Sequence, residues 1–330
     1  MRSVRMYREV WPLRTPLFTA RGSRNEAEVV VVEMEEDGWR GVGECAPWRR
    51  FGESVPSVMA QIASILPQLE RRMTREQLQQ ALPPGAARNA VDCAFWDLDA
   101  RRAGQSLAEY VGVQLDSAVE NASTLQPDEP PHMAAAARAR YNRGARLFRI
   151  RLDDRLISER LVAIREAVPE ATLMVDASET WHSDGLAARC QLLADLGVVL
   201  LEQPLSARDD AALENFIHPL PICADESCHT RSSLKALAGR YEAINLKLDK
   251  CGGLTEGLAL AAAAREQGFE LLLGGASCTS RAVSAALPLA PQARYVDLEG
   301  PDWLAVDVEP GLRYEGGRIL LDQRGPSRKS

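Results

Sequence analysis

The chain has 330 residues, of which 46% are hydrophobic and 26% charged, and its formal net charge is −7. This composition is typical of a soluble globular protein, and the length suits one large domain or two moderate ones. The net negative charge argues against nucleic-acid binding, which depends on basic patches that neutralise phosphates, so we expect no nucleic-acid partner.

The N-terminus and the cysteines bear on the expected compartment. Glu9, Pro12 and Arg14 interrupt the N-terminal segment before an apolar run develops, and no stretch approaches the roughly 20 apolar residues of a membrane span. We therefore expect neither export nor membrane insertion. The seven cysteines are scattered singly without CxxC spacing, which fits neither a disulfide framework nor a zinc site. The interpretation that follows is a cytoplasmic protein.

The first hundred residues predict an α+β unit. Residues 28–34 and 39–45 are β-rich and flank the turn Glu35-Glu36-Asp37-Gly38, which is typical of a hairpin. Apolar residues at helical spacing follow over residues 54–69, 74–82 and 87–103. Pro83-Pro84-Gly85 ends the second of these helices.

Short apolar or β-rich runs then alternate with helical segments. The runs cover residues 119–123, 147–152, 173–176, 199–202, 222–225, 243–247, 270–273 and 295–298. The helical segments between them include residues 156–167, 185–196, 232–238 and 254–267. Eight such runs favour a closed parallel barrel over an open doubly wound sheet. No glycine-rich phosphate loop follows the first run, which also disfavours a dinucleotide-binding fold.

The alternation stops after Gly300. Residues 312–321, which contain Glu315-Gly316-Gly317, predict a small hairpin that we expect to return to the N-terminal unit. Residues 323–330 are polar and basic, which predicts a frayed tail. The predicted division is an α+β domain over residues 1–97, a barrel over 98–299 and a C-terminal segment over 300–330.

Three carboxylates and a lysine end four successive predicted strands: Asp176, Glu202, Asp225 and Lys247. They are spaced by 22 to 26 residues, about one strand-helix unit of a barrel, whose strands all end at one mouth. Oxygen donors without His or Cys suit magnesium, or manganese, rather than zinc. One acidic residue at a strand end often only caps the next helix. Three in consecutive units predict a metal site.

Lys247 is the candidate base. It has the strand parity of Asn245, whereas Lys250 is expected in the following loop. A lysine beside a metal-bound carboxylate can take the proton α to that carboxylate, while the metal stabilises the enediolate. The alternative is that Lys247 only forms ion pairs with the carboxylates, and its position leaves both open.

These motifs resemble the muconate-lactonizing subgroup of the enolase superfamily, and within it the dipeptide epimerases. The resemblance is carried by Val175-Asp176-Ala177-Ser178-Glu179, Leu201-Glu202-Gln203-Pro204, Ala224-Asp225-Glu226-Ser227 and residues 245–253, and it extends along nearly the whole chain. It implies a modified TIM barrel, (β/α)7β, beneath an N-terminal α+β capping domain. It also implies one Mg²⁺ per subunit on Asp176, Glu202 and Asp225, and epimerisation of dipeptides by 1,1-proton transfer. Cytoplasmic recycling of cell-wall peptides and a homo-oligomeric assembly are implied as well.

Substrate contacts are implied in the same way. Arg24, on a loop of the capping domain, would meet the side chain of a substrate glutamate. Asp297 and Glu299, at the last strand, would hold the dipeptide ammonium, and Thr124, at the first strand, would make a further contact. The mandelate-racemase subgroup would place a histidine base at the seventh strand, where this chain has Leu273-Gly274-Gly275-Ala276, so that subgroup is disfavoured.

The chain departs from the family at Arg149-Ile150-Arg151, where the family has Lys-x-Lys and its second lysine is the base opposite Lys247. An arginine stays protonated in proteins and cannot readily take that proton. We expect Arg149 to hold a substrate carboxylate and Arg151 to stabilise the enediolate from that face. Gly275 stands where the family has a bulkier residue, which predicts a roomier pocket.

Three functions remain open at this point. The first is a dipeptide epimerase that uses Lys247 and Arg151. The second is another enolase-superfamily lyase or cycloisomerase that needs one base, and the third is a magnesium-dependent dipeptide-binding protein with little catalysis. The extent of the resemblance favours the first.

Overall fold

An eight-stranded parallel sheet forms the centre of the structure, a computed structural model that describes residues 2–19 and 22–321. A three-stranded antiparallel sheet and three helices lie over one end of it, and a smaller three-stranded sheet lies beside it. In the described part of the chain, no helix combines the length and the apolar character needed to cross a membrane.

The N-terminal domain consists of β1 (Ser3–Thr19), β2 (Gly22–Glu36), β3 (Trp39–Cys45), α1 (Val55–Glu70), α2 (Arg75–Ala81) and α3 (Ala86–Ala103). The expected hairpin and helices are confirmed. Strand β1 was not predicted; it pairs along β2 with an irregularity between Pro12 and Leu17, and its charged and apolar residues give no clean alternation. Gly43 lets α3 approach β3, because a Cβ there would lie 2.0 Å from the carbonyl oxygen of Ala90.

A short connection, α4 (Leu107–Val111) and β4 (Ala118–Glu120), leads into the barrel. The barrel strands are β5 (Ser123–Leu125), β6 (Leu147–Arg151), β7 (Thr172–Asp176), β8 (Val198–Glu202), β9 (Ile222–Ala224), β10 (Ala243–Leu246), β11 (Glu270–Gly274) and β12 (Tyr295–Asp297). The helices between them are α5 (Pro130–Asn142), α6 (Ile157–Ala167), α7 (Leu186–Asp195), α8 (Leu234–Leu237), α9 (Leu248–Cys251), α10 (Leu254–Glu266) and α11 (Ser280–Ala286), with 3₁₀ turns at Asp210–Asn215, Arg231–Ser233 and Leu287–Gln292. The expected parallel barrel is confirmed. Between its edge strands, the amide of Ala122 donates to the carbonyl oxygen of Val296 over 2.7 Å.

Alternation along each strand sends side chains either outward to the helices or into the barrel. On β6, Phe148 and Ile150 belong to the outer core, whereas Leu147 belongs to an inner apolar cluster. The inner cluster also contains Met174, Leu200, Cys223, Ala243 and Leu272. Residues two and four positions farther along each strand are therefore the ones that face inward at the carboxyl-terminal mouth.

Carboxylates of the N-terminal domain bind backbone amides at the start of two barrel helices. Asp92 Oδ2 accepts from the amide of Thr255 over 2.8 Å at the beginning of α10. Glu44 Oε1 accepts from the amide of Thr279 over 2.7 Å, just before α11. Because the first amides of a helix have no partner within it and carry partial positive charge, these contacts are favourable. These contacts hold the N-terminal domain against the barrel.

Two expectations about connections are wrong. The run 119–123 is not one barrel strand, since β4 lies outside the barrel and β5 begins at Ser123. The C-terminal hairpin, β13 (Arg313–Glu315) and β14 (Arg318–Leu320), exists but pairs with β4 rather than with the N-terminal sheet. Burial of Ile319 in the barrel's outer core explains this choice.

The segment just before the hairpin does reach the N-terminal domain, since the amide of Ala305 donates to the carbonyl oxygen of Pro12 over 2.8 Å. The expected domain boundary at residues 97 and 98 falls within α3 and stays a prediction. The tail over residues 323–330 lies outside the described residues.

Candidate active site

A cavity of about 480 Å³ lies between the carboxyl-terminal mouth of the barrel and the N-terminal domain. The predicted site residues that line it are Arg24, Thr124, Arg149, Arg151, Asp176, Asp225, Lys247, Gly275, Asp297 and Glu299. Glu202 lies beneath them, where Asn245 Nδ2 donates to its Oε1 over 2.6 Å. The structure therefore brings the predicted residues to one place, although their chemical roles stay predictions.

Arg149 lies among carboxylates of the barrel. Its Nη2 is 2.8 Å from Asp176 Oδ2, its Nε is 2.7 Å from Glu202 Oε2, and its Nη1 is 3.4 Å from Asp297 Oδ2. The side chain is only 4% exposed. The guanidinium is thus a counter-ion of the protein's own carboxylates, and a substrate carboxylate would have to compete with them.

Arg151, two residues along the same strand, reaches the cavity instead. Its side chain is 26% exposed, and its Nε lies 3.5 Å from Asp176 Oδ2. That Nε is buried and makes no hydrogen bond to any described residue. Of the two arginines, Arg151 is better placed to meet a ligand.

Two lysines hold Asp225. Lys247 Nζ is 2.6 Å from its Oδ2, and Lys250 Nζ is 2.5 Å from its Oδ1. Burial disfavours the charged carboxylate, but the two ammonium groups outweigh it and hold the pKa of Asp225 well below its usual range. Lys247 is buried too, yet Asp225 and Glu202 raise its pKa. Lys247 is therefore an ammonium in this arrangement, a form that cannot accept a proton.

Lys250 does not lie in a loop, so that expectation is wrong. It is in α9, which begins directly after Lys247, and its Nζ also donates to the carbonyl oxygen of Asn245 over 3.0 Å. The sequence feature that could have indicated this position is the spacing of three residues between Lys247 and Lys250. Residues three apart in a helix lie on the same side of it.

The two acids expected to hold an ammonium meet at the end of β12. Glu299 Oε2 accepts from the amide of Thr124 over 2.8 Å. Burial and the neighbouring Asp297 raise the pKa of Glu299 to about 7. A bound ammonium would favour its ionised form, so the pair suits a cationic group of a ligand.

Gly275 lies in the cavity wall, where an added Cβ would be 3.3 Å from Leu298 Cδ2. A small side chain would fit after a slight shift of Leu298. At Gly274, by contrast, a Cβ would be 2.3 Å from Asn245 Oδ1. Arg24 lines the cavity as expected, but it lies in β2 of the N-terminal domain and not on a loop, so that part of the expectation is wrong.

Sequence reasoning missed a turn of the N-terminal domain that forms part of the cavity wall. Lys247 Nζ lies 4.8 Å from the centre of the Trp48 ring. Arg50 forms two hydrogen bonds to Glu179, of 2.6 and 2.7 Å, and the ring of Phe51 meets that of His229 edge-on at 4.3 Å. The sequence feature that could have indicated this part of the wall is the pair of aromatic residues, Trp48 and Phe51, between β3 and α1.

Glu226 was also missed. It lines the cavity, and its buried Oε2 makes no hydrogen bond within the described chain. Burial, followed by the charge of Asp225, raises the pKa of Glu226 to about 8. Its charged form is therefore disfavoured relative to that of an ordinary glutamate.

Three carboxylates at adjacent strand ends are a donor set that suits a hard divalent cation. Among the residues described, however, no three Asp, Glu, His or Cys side chains are arranged to hold a metal ion. Arg149, Lys247 and Lys250 engage oxygens of the three predicted ligands. The donor set fits a metal in type and place, and a bound cation would share these carboxylates with the arginine and the lysines.

Known proteins resemble this chain along nearly its whole length. Residues 1–112 match the family described as mandelate racemase / muconate lactonizing enzyme, N-terminal domain, and residues 132–326 match enolase C-terminal domain-like. The L-Ala-D/L-Glu epimerase of Escherichia coli (strain K12) is 64% identical over 321 residues, covering 97% of this chain and 100% of that one. An N-acetyl-D-glutamate racemase of Pseudoalteromonas sp. is 40% identical over 293 residues, covering 88% and 91%.

Solved structures agree. An L-Ala-D/L-Glu epimerase superimposes with a TM-score of 0.94 at 63% identity, covering 97% of this chain and 99% of that one. A dipeptide epimerase from Methylococcus capsulatus, complexed with Mg and the dipeptide L-Arg-D-Lys, superimposes with a TM-score of 0.87 at 30% identity, covering 98% and 97%. Because both domains match models of this family and the sequence and barrel match those of its members, the chain belongs to the enolase superfamily.

Proposed function

We propose that this protein is a magnesium-dependent dipeptide epimerase of the L-Ala-D/L-Glu type, an isomerase that inverts the α-carbon of the C-terminal residue. The observation that carries the proposal is one cavity that joins Lys247 to Asp176 and Asp225, with Glu202 beneath. The proposal is supported by 64% identity to an enzyme of that name along nearly the whole chain.

Asp176, Glu202 and Asp225 would hold the Mg²⁺. When bound, the ion would withdraw charge from the substrate carboxylate and so make the neighbouring α-proton more acidic. Lys247, once released from Asp225, would take that proton on one face of the substrate. Asp297 and Glu299 would bind the ammonium of the dipeptide, and Arg24 would bind a glutamate side chain.

Arg151 determines how well inversion proceeds. In this proposal its guanidinium stabilises negative charge on the face opposite Lys247, and water near it returns the proton. A guanidinium does not readily exchange a proton itself, so inversion should be slower than α-proton removal. The same arginine favours a second candidate, a one-base lyase or cycloisomerase that uses Lys247 alone.

Proton NMR in deuterium oxide tests the proposal. L-Ala-L-Glu, a panel of other dipeptides and N-acetyl-D-glutamate are incubated with protein and MgCl₂, and the α-proton signals are followed for exchange and for new diastereomers. Exchange with inversion supports an epimerase. Exchange without inversion indicates one-base chemistry, and a product of different mass indicates a lyase or cycloisomerase.

Absence of exchange with every compound refutes the epimerase. Calorimetric binding of a dipeptide that requires Mg²⁺ would then support a binding protein. A Lys247→Met sample tested in parallel excludes a contaminating epimerase, because its exchange should be lost.

The setting of the reaction is part of the proposal. The family resemblance supports cytoplasmic recycling of cell-wall peptides, with no nucleic-acid or membrane partner, and assembly into a homo-oligomer. Light scattering coupled to size-exclusion chromatography tests the assembly.

A further inference from the structure

The turn over residues 48–52 contacts three separate loops at the mouth of the barrel. Trp48 covers Lys247, which follows β10. Arg50 pairs with Glu179 after β7, and Phe51 packs against His229 after β9. A short piece of the N-terminal domain is thus joined to loops that otherwise have separate positions.

The Arg50 contact is the strongest of the three. Its Nε and Nη2 donate to different oxygens of Glu179, at 2.6 and 2.7 Å. The Arg50 side chain is 24% exposed and that of Glu179 is 7% exposed. Glu179 Oε1 also accepts from the amide of Ala207 over 3.0 Å, which holds the carboxylate in place. A bidentate pair between partly buried groups fixes both distance and direction.

The turn itself is closed by hydrogen bonds, which hold its residues in fixed positions relative to one another. The amides of Phe51 and Glu53 donate to the carbonyl oxygen of Trp48, over 3.0 and 3.1 Å. Glu53 Oε2 accepts from the amide of Trp48 over 2.8 Å, and the rings of Trp48 and Phe51 stack at 5.5 Å. An anchor at Arg50 is therefore transmitted to the Trp48 ring two residues away.

The Trp48 ring in turn restricts Lys247. The ammonium is held by Asp225 Oδ2 at 2.6 Å and faces the indole at 4.8 Å. A lysine side chain has four rotatable bonds, and an aromatic face attracts its cation while excluding water. Together the two contacts limit where the amine can lie.

We propose that Arg50 is a positioning residue, whose ion pair with Glu179 anchors the turn over residues 48–52 and thereby holds the Trp48 ring against Lys247. The inference rests on the proposed function for its effect on the reaction, but not for the anchoring itself. Two measurements test the anchoring and its effect on the reaction separately.

The first measurement follows Trp48 directly. The protein is labelled with 5-fluorotryptophan, and its ¹⁹F signal is assigned by its loss in Trp48→Phe. The signal should shift in Lys247→Met, because the cation over the ring is lost, and in Arg50→Met and Glu179→Gln, because the anchor is lost. Arg231→Met is the matched control, since it removes an arginine with two bonds to Glu256 outside the cavity. An unchanged signal in Arg50→Met overturns the proposal.

The second measurement is the rate of α-proton exchange in deuterium oxide with the best dipeptide. Arg50→Met should lower kcat about tenfold or more, because small misplacement of a reacting group is costly, whereas Arg231→Met should leave it unchanged. Arg50→Lys, which keeps one bond to Glu179, should be intermediate. The exchanged pair Arg50→Glu with Glu179→Arg should recover part of the loss.

A double variant decides whether Arg50 acts through Trp48. If it does, Trp48→Leu with Arg50→Met should be no slower than Trp48→Leu alone. Losses that multiply would mean that Arg50 acts on the substrate itself, and would overturn the positioning role. If the unmodified protein exchanges no dipeptide, the proposed function fails, and the ¹⁹F signal of Trp48 still decides the anchoring.

Discussion

Ionisation of Glu44 should make the protein less stable as the pH rises from 5 to 8. Its side chain is buried, and burial raises the pKa to about 7 from an ordinary 4.5, despite hydrogen bonds from Thr279 and the nearby Arg281. The unfolded chain therefore loses this proton first. The contribution of Glu44 to the free energy of unfolding is fully present below pH 4.5 and falls as the pH rises towards 7. Above pH 7 this contribution is nearly constant.

The size follows from the shift. A difference of one pKa unit corresponds to about 1.4 kcal/mol, so the full loss is on the order of 3 kcal/mol, of which about 2.5 kcal/mol falls between pH 5 and 8. Glu44→Gln removes the titrating group. The free energy of unfolding of the original protein minus that of the variant should decrease by this amount over the range.

Urea unfolding at pH 5, 6, 7 and 8 measures the difference, provided that tryptophan fluorescence and circular dichroism give the same transition. Thr279→Val is an informative companion, because it removes a hydroxyl that donates to Glu44 Oε2 over 2.5 Å. Because this hydrogen bond lowers the pKa of Glu44, its loss should raise that pKa further. The decrease in the free energy of unfolding should then extend to higher pH. Glu315→Gln, which removes an exposed carboxylate, controls for net charge. A difference that is level with pH, or rises with it, would refute the reasoning.

Three further changes test the site and the contact between the N-terminal domain and the barrel. Arg151→Lys should raise the rate of inversion of L-Ala-L-Glu by about 10² or more, because a base returns to that face; an unchanged rate by NMR would show that the arginine is not the defect. Lys247→Met should slow deuterium incorporation into an L-configured C-terminal residue by at least about 10², and incorporation at the original rate would exclude Lys247 as the base. Thr255→Val removes a hydroxyl that donates to Asp92 over 2.6 Å and should lower the free energy of unfolding by about 1 to 3 kcal/mol; an unchanged urea midpoint would show that this contact adds no stability.

Much of the fold was predictable from local pattern. Short apolar runs alternating with helical segments predicted the parallel barrel, because buried parallel strands are apolar and need helical crossovers. The even spacing of Asp176, Glu202, Asp225 and Lys247 placed them at one mouth, and the cavity contains or adjoins all four. Errors at strand ends were small, except where β4 and β5 form two strands instead of one.

The remaining features depend on contacts between distant segments. The family resemblance placed Arg149 and Arg151 at the site, but only the packed barrel decides that Arg149 is surrounded by carboxylates while Arg151 reaches the cavity. Likewise, no local pattern shows that Arg50 meets Glu179, 129 residues later, or that the C-terminal hairpin pairs with β4. Periodicity and spacing determined which side chains meet at the mouth, because they act within one strand or helix. The tertiary structure alone decided their partners and charges, because those depend on how separate elements pack and how much water the packing excludes.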